Sequence, residues 1–335
     1  MKALTIDRPH EARVIDVPAP TPGPDEVLLR VAACGICGTD VHILRGEYLG
    51  DYPIIPGHEF AGEVAAVGAQ VTRFRVGDRV AVEPNIACDN CVNCLNNRQN
   101  FCLNWQAVGV TRPGGMAEYV TAPERVVFDI GALSYEAGAF VEPLSCVIHG
   151  IERAEIRLTD RVALLGAGPI GLLLLQVARL RGAAHVTVLE RQPARAELAG
   201  KLGADAWSQD LNELDPASYD VVVDATGVPS VMAHSVALAR KGGTILLFGV
   251  PPRGSELSLD AFAIFEKGLT IRSSFTSLRN SYQAIELLAT GGVRVDDLIS
   301  HRLPLEQFAR GVEMIERGLE GVKKVLMVPD VGFGA

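Results

Sequence analysis

The amino-acid sequence predicts an α/β protein with two domains, one β-rich and one built on a doubly wound parallel sheet. A chain of 335 residues is longer than one ordinary domain, so two domains are expected. Residues 1 to about 145 contain short apolar runs broken by Gly and Pro, which is typical of strands in a β-rich domain. From about Thr159 onward strand patterns alternate with helix patterns, which predicts βαβ units around a parallel sheet.

In the β-rich region, each predicted strand is an apolar run bounded by turn-forming residues. These strands are EVLLRVAAC, AGEVAAVG, DRVAVEP and AEYVTAP. The segment 18–26, PAPTPGPDE, is rich in proline and predicts a surface loop between two strands.

The second region predicts strands in RVALLGAG, HVTVLE, VVVDATG, GGTILLFGV and LTIRSSF. Helices are predicted in PIGLLLLQVARLRG, ended by Gly182, in PARAELAGKLG, stopped by Gly203, and in VPSVMAHSVALARK. Two amphipathic helices, SYQAIELLATGG and LEQFARGVEMIERG, and a last strand, KKVLMVP, follow. The pattern alone does not assign this C-terminal tail to either domain.

The composition limits the possible partners and the location. A net charge of −9 with no Lys/Arg-rich run argues against nucleic-acid binding. The most apolar stretch is too short to span a bilayer, and the N-terminus has no apolar region typical of a secretory signal. We therefore expect a cytoplasmic protein whose seven cysteines are reduced thiols or metal ligands.

Four of the cysteines predict a closed zinc site. Cys88, Cys91, Cys94 and Cys102 have the spacing C-x2-C-x2-C-x7-C, which can bring four sulfurs to one tetrahedral zinc. A site with four sulfur ligands has no open position, so it stabilises structure and performs no chemistry.

A second group of residues predicts a zinc with an open coordination position. Cys37, His58 and Glu59 offer one soft and two harder ligands, and Asp40 could orient the histidine from outside the metal shell.

Cys34 and Cys37 also match a redox C-x-x-C motif. That motif is expected beside a thioredoxin-like βαβ pattern, whereas this region is β-rich, so Cys34 is interpreted as a small buried residue.

The glycine-rich turn predicts a nicotinamide dinucleotide site. Gly166, Gly168 and Gly171 form G-x-G-x-x-G between a predicted strand and a predicted helix, where a pyrophosphate can approach the helix N-terminus. Glu190 ends the next strand, where a carboxylate binds the ribose hydroxyls and repels a 2′-phosphate, so NAD is expected. Arg191 leaves NADP open, because it could bind that phosphate.

Six motifs together resemble the zinc-dependent medium-chain dehydrogenases over essentially the whole chain. They are CGICGTDVH (34–42), PGHEFAGEVAAVG (56–68), GDRVAVEP (77–84), the four-cysteine segment, VEPLSCVIHG (141–150) and GAGPIG (166–171). The chain is most similar to the polyol branch, which contains sorbitol, arabitol, butanediol and threonine dehydrogenases.

The resemblance implies a GroES-like catalytic zinc domain formed by residues 1–147 and 285–335, with a Rossmann NAD-binding domain, 148–284, inserted. It implies Cys37, His58 and Glu59 as catalytic zinc ligands and Glu142 as a carboxylate that ligates the zinc or acts through water. Thr39 and His42 match the proton-relay positions. The implied cofactor contacts are Gly166, Gly168, Pro169, Ile170, Gly171, Glu190, Arg195, Phe248, Gly249, Val250, Ser274 and Phe275.

Two pocket positions depart from sorbitol dehydrogenases, with Ile43 in place of a Tyr and Thr276-Ser277 in place of Arg-Tyr, so glucitol is not implied. The resemblance implies oxidation of a secondary alcohol, a polyol or diol, to a ketone with two zinc ions per chain and NAD. L-threonine or a simple alcohol as substrate, a zinc-free reductase and a non-catalytic NAD-binding zinc protein remain alternatives. The expected partners are a small-molecule alcohol and further copies of the chain, in a homotetramer or homodimer, with no nucleic acid and no membrane.

Overall fold

The N-terminal region is built from short strands, as the apolar runs predict. The structure, a computed structural model, describes residues 1–49 and 51–329. The strands are β1 (Lys2–Arg8), β2 (Glu11–Asp16), β3 (Glu26–Gly35), β4 (Glu59–Val67), β5 (Arg79–Val82), β6 (Asn85–Ile86), β7 (Gln106–Ala107), β8 (Tyr119–Pro123) and β9 (Val127–Asp129). Three short helices accompany them, α1 (Gly38–Arg45), α2 (Val92–Leu95) and α3 (Tyr135–Gly138).

The second region contains the predicted strands and helices in their predicted order, together with further elements that the sequence analysis did not predict. Its helices are α4 (Val141–Ala154), α5 (Pro169–Leu180), α6 (Pro193–Lys201), α7 (Pro229–Leu238) and α8 (Ala261–Lys267). Its strands are β10 (Arg161–Leu165), β11 (His185–Leu189), β12 (Ala206–Ser208), β13 (Tyr219–Asp224), β14 (Ala239–Leu247) and β15 (Thr270–Ser273). Helices α5 and α6 end before Gly182 and Gly203, whose φ angles of 104° and 110° suit glycine.

The C-terminal tail contains α9 (Ser281–Ala289), β16 (Ile299–Leu303), α10 (Phe308–Arg317) and β17 (Lys324–Met327). Strands β16 and β17 join the sheet of the N-terminal region, which has seven strands in the order β16-β17-β3-β4-β5-β9, with β8 also paired to β3. The inner faces of these strands form one apolar core that includes Leu29, Phe60 and Val325. The tail, which its pattern left unassigned, thus pairs with the first region.

The other sheet has six parallel strands in the order β12-β11-β10-β13-β14-β15. This is the order of a doubly wound dinucleotide-binding sheet, so the predicted α/β class is confirmed. The apolar residues of its strands β10, β13 and β14 are almost all buried, which explains their continuous apolar runs.

The chain divides into two compact units. One comprises Met1–Pro143, Ser281–Ala289 and the chain from Ile299 onward, and the other comprises Leu144–Asn280 and Thr290–Leu298. The predicted domain range 285–335 ends in residues 330–335, which lie outside the described residues. Within the described ranges, no helix is long and apolar enough to span a bilayer.

Candidate metal and cofactor sites

The pairing of β3 with β4 brings the three predicted catalytic ligands together. Gly35 at the end of β3 is paired with Glu59 at the start of β4, and Cys37 follows as the N-cap of α1. The ligand atoms of Cys37, His58 and Glu59 all lie within 4.8 Å of one another. One sulfur, one imidazole nitrogen and one carboxylate form a donor set that zinc accepts with a fourth position left open.

Asp40 fixes the segments that carry these ligands. It is completely buried, and its two oxygens accept the backbone N–H of Cys37 at 2.8 Å and that of Gly57 at 3.1 Å. The His58 Nδ1 atom lies 3.7 Å from Asp40 Oδ1. It is buried and has no hydrogen-bond partner among the described residues. If the distance between Nδ1 and Oδ1 shortened slightly, Nδ1 would donate a hydrogen bond to Asp40. Nε2 would then remain for a metal, so the donor set fits zinc.

The charges in this group act strongly on one another. Burial raises the pKa of the Cys37 thiol, Glu59 raises it further, and His58 opposes the shift. Burial would lower the pKa of His58, but Cys37 and Asp40 raise it well above its usual value. A divalent cation would reverse the effect on the cysteine, since a coordinating thiol is deprotonated.

The structure adds Lys324, which the sequence analysis missed. Its ammonium group forms an ion pair with Glu59 Oε2, and both side chains are almost fully buried. Burial would lower the pKa of Lys324, but Glu59 raises it above its usual value. A Cβ on Gly35 would lie 2.4 Å from that carboxylate oxygen, so a larger residue there would require the ion pair to shift. In the sequence, Lys324 is only a charged residue at the start of an apolar strand, and nothing near it identifies Glu59 as its partner.

The other residues predicted around this site occupy neighbouring helices. Glu142 lies in the first turn of α4 and is buried. It is not in the group of atoms within 4.8 Å, although its charge raises the pKa of His58. Thr39 and His42 lie on α1. His42 Nδ1 is 2.9 Å from the carboxylate of Glu47, a partner that the sequence analysis did not identify.

The four cysteines that are predicted to bind the second zinc lie close together. The sulfur atoms of Cys88, Cys91, Cys94 and Cys102 lie within 4.8 Å of one another. The backbone N–H of Leu103 lowers the pKa of Cys91 to about 6, whereas burial raises that of Cys94 to about 12. The apolar side chains of this segment are largely exposed, namely Val92, Leu95, Phe101 and Leu103. Since the segment buries little apolar surface, a metal would be its main source of stability.

The glycine-rich turn joins β10 to α5. Gly166 has a φ of 100°, and a Cβ on Gly171 would lie 2.0 Å from the carbonyl oxygen of Gly166, so both positions need glycine. A Cβ on Gly168 would meet no atom within 4 Å. Gly168 is the N-cap of α5, and Pro169 and Ile170 begin the helix. The turn therefore leaves open space at a helix N-terminus, which fits a pyrophosphate.

Glu190 lies at the carboxyl end of β11 and is buried. Its carboxylate accepts the backbone N–H of Ala167 at 2.9 Å and that of Gln192 at 2.8 Å. These bonds hold the carboxylate beside the glycine-rich turn, and each oxygen keeps a lone pair for a ribose hydroxyl. Arg195 lies in the first turn of α6, where burial lowers its pKa and Glu190 opposes that shift.

The remaining predicted cofactor residues follow the carboxyl ends of β14 and β15. They line one cavity of about 370 Å³ together with residues of α7, and they are Phe248, Gly249, Val250, Ser274 and Phe275. Open α/β sheets bind ligands at the carboxyl ends of their strands, so this location fits the predicted role. The structure thus brings the predicted cofactor residues to one edge of the parallel sheet.

Comparisons with known proteins agree with this arrangement. Residues 23–132 match the family model described as "Alcohol dehydrogenase GroES-like domain", and residues 169–290 match "Zinc-binding dehydrogenase". A D-altritol 5-dehydrogenase of Agrobacterium fabrum is 38% identical, covering 92% of this chain and 94% of the relative. D-arabinitol dehydrogenase 1 of Uromyces fabae is 35% identical, covering 93% of each.

A solved structure from Sinorhizobium meliloti, described as a zinc-binding dehydrogenase bound to NADP, is also similar. It has a TM-score of 0.93 and 38% identity, covering 98% of this chain and 99% of that one. Both domain matches and identities above 30% over nearly the whole chain agree with the ligand sets and the parallel sheet. The chain therefore belongs to the zinc-dependent medium-chain alcohol dehydrogenase family and is an NAD(P)-dependent oxidoreductase of its polyol branch.

Proposed function

We propose that this protein oxidises a secondary alcohol of the polyol or diol class to the ketone, with NAD as the hydride acceptor. The observation that carries the proposal is the convergence of Cys37, His58 and Glu59, three ligands that leave one zinc position for a substrate hydroxyl. The relatives named for D-altritol and D-arabinitol favour a polyol.

Each residue of the site has a separate role in the proposed reaction. Bound zinc would supply Lewis acidity to the substrate hydroxyl. Cys37, His58 and Glu59 hold the metal, Asp40 orients His58, and Glu142 offers a further carboxylate. Thr39 accepts the proton of the hydroxyl and His42 passes it toward solvent. The cofactor residues on the parallel sheet would bind and orient a nicotinamide cofactor, which would supply hydride acceptance.

The test is a substrate panel with purified protein. Arabinitol, altritol, sorbitol, butanediol, L-threonine and simple alcohols are each assayed with NAD and with NADP. We expect the highest kcat/KM for a polyol or diol, and exclusive activity on L-threonine or on simple alcohols would overturn the substrate class. His58→Ala should abolish turnover, whereas His185→Ala, at a partly exposed histidine paired with Asp205, should not.

Two zinc ions per chain are part of the proposal. Each of the two ligand groups supplies donors suited to zinc. Metal analysis of protein never exposed to chelator should give two zinc ions, and a value of one or zero would contradict this assignment.

A preference for NAD over NADP is supported by Glu190, whose carboxylate is held beside the glycine-rich turn. It would accept bonds from both ribose hydroxyls and repel a 2′-phosphate. Because the similar protein from Sinorhizobium meliloti was solved with NADP, the preference needs its own measurement. Equal kcat/KM with the two cofactors would overturn it and would point to Arg191 as a phosphate ligand.

A homodimer or homotetramer is supported by the outer edge of the parallel sheet. β15 is the last strand of that sheet, and the neighbouring helix α8 exposes Phe262 by 71% and Phe265 by 81%. A strand edge beside exposed aromatic side chains is a surface suited to pairing with a second copy. Phe265→Asp should lower the mass measured by light scattering, and the control Leu158→Asp, also at an exposed residue, should not.

The domain limits are proposed as well. We place the domain boundaries at 1–147 with 285–335, and at 148–284, and expect limited proteolysis to cleave first near 147 and 285.

A cytoplasmic location is supported by the seven cysteines, which are all free thiols and suit a reducing compartment. Recovery of the protein from a secreted fraction would contradict it.

A further inference from the structure

We propose that Glu47 is a positioning residue of the proton relay, because it fixes His42 in the tautomer that leaves Nε2 free to take the substrate proton. The inference deepens the proposed function and rests on it. His42 Nδ1 and Glu47 Oε2 are 2.9 Å apart. An ionised carboxylate only accepts hydrogen bonds, so Nδ1 must donate. A neutral imidazole has one N–H, so Nε2 is then the acceptor.

The end of α1 places Glu47 beside His42. The N–H of Gly46 donates to the carbonyl of Ile43 at 3.0 Å, and the N–H of Glu47 donates to that of His42 at 2.8 Å. These are the two bonds of a Schellman motif, with Gly46 at a φ of 75°. The 6→1 bond brings the backbone of Glu47 back to the turn that carries His42. The pair is therefore built into the backbone rather than formed by chance contact of two surface side chains.

Glu47 pairs with His42 and not with the cation nearest to it in sequence. Arg45, the cation nearest in sequence, instead forms an ion pair with Glu316 at 2.6 Å. The hydroxyl of Tyr52 donates to the carbonyl of Ile43 at 2.5 Å and fixes the same turn. The side chains of His42 and Glu47 are 17% and 35% exposed, so water can reach the pair.

The proton balance of the relay is simple. The proton lost by the substrate hydroxyl arrives at Nε2, and the ring becomes an imidazolium paired with the carboxylate of Glu47. One proton is then released to water and the ring returns to its neutral form. No electrons move in this step, because the hydride leaves separately from the carbinol carbon to the cofactor. The carboxylate contributes by orienting the ring and by stabilising the transient positive charge.

The test combines imidazole ¹⁵N NMR of histidine-labelled holoenzyme with steady-state kinetics. In the wild type we expect the Nδ1–H tautomer of His42, and in Glu47→Ala the loss of that preference. With the substrate that the panel identifies, kcat of Glu47→Ala should fall by about 10-fold or more, a part of the 10²–10⁴-fold of the whole proton transfer. Zinc content and KM should stay unchanged. Glu47→Gln, whose amide can both accept from Nδ1–H and donate to an unprotonated Nδ1, should weaken the tautomer preference and give an intermediate kcat.

Glu316→Gln is the matched control. Glu316 is 33% exposed and pairs with Arg45, which lies on α1 together with His42. The substitution therefore removes the same charge near α1 without touching His42. An unchanged tautomer in Glu47→Ala, or an equal loss of kcat in Glu316→Gln, would overturn the inference. A wild type inactive on every alcohol would refute the proposed function. The NMR comparison would still decide whether Glu47 sets the tautomer.

Discussion

Replacing Asp40 by Asn tests how the catalytic metal site is held together. The substitution keeps the size of the side chain and removes its charge. The buried carboxylate of Asp40 accepts two backbone N–H groups, from Cys37 and Gly57, and faces the otherwise unpartnered Nδ1 of His58. An Asn side chain offers one acceptor oxygen, so its NH₂ group must face one of the two backbone donors.

The expected magnitude follows from these contacts. One buried N–H loses its acceptor, which costs about 1–3 kcal/mol, and the bond that remains is weaker by about 1 kcal/mol, because its acceptor is a neutral amide oxygen and no longer a carboxylate. The free energy of unfolding should therefore fall by about 2–4 kcal/mol. In addition, His58 loses the group that orients it, and the loss of such a partner typically lowers metal affinity by about 10–100-fold.

Asp224 provides the matched control for this experiment. It is also completely buried, and it accepts the backbone N–H groups of Thr226 and Gly227, but among the described residues it belongs to neither group of candidate metal ligands. Both Asp40→Asn and Asp224→Asn should lower stability to urea, whereas Asp40→Asn alone should lose zinc faster to a competing chelator. Equal zinc retention in the two variants would refute the role of Asp40 as a partner of His58.

Four further substitutions test the ion pair, the cysteine segment and the glycine turn. Lys324→Met leaves Glu59 buried without its cation. In urea titrations of metal-stripped protein, it should lower the free energy of unfolding by about 3–5 kcal/mol. A loss below about 1 kcal/mol would contradict this. Cys94→Ser should lower Tm and leave one zinc per chain by metal analysis, and an unchanged Tm would mean that the segment holds no structural zinc. Gly168→Ala should keep Tm but weaken NADH binding in fluorescence titrations, because its Cβ meets no protein atom within 4 Å. Gly171→Ala, whose Cβ would lie 2.0 Å from a carbonyl oxygen, should lower both, so an equal Tm for the two variants would count against this interpretation.

The elements with local signals could be predicted from the sequence. The parallel sheet follows from alternating apolar runs and helix-ending glycines, because both depend on neighbouring residues alone. The grouping of the four cysteines was predictable for the same reason, since they span positions 88–102 and their spacing already limits the geometry. Glu47 also had a local signal. Gly46 ends α1 in the left-handed conformation, and a helix assigned to this segment would have placed Glu47 against His42.

Lys324 could not be found in this way, because 265 residues separate it from Glu59. Two strand pairings bring them together. β17 pairs with β3 through Met327 and Cys34, and β3 pairs with β4 through Gly35 and Glu59. A slip of one residue in β17 would turn Lys324 to the opposite face, and in one of the two directions it would place Val325 against the carboxylate. The buried ion pair therefore opposes that slip in addition to the apolar pattern of the strand, and it links the C-terminal strand to the candidate metal site formed by Cys37, His58 and Glu59.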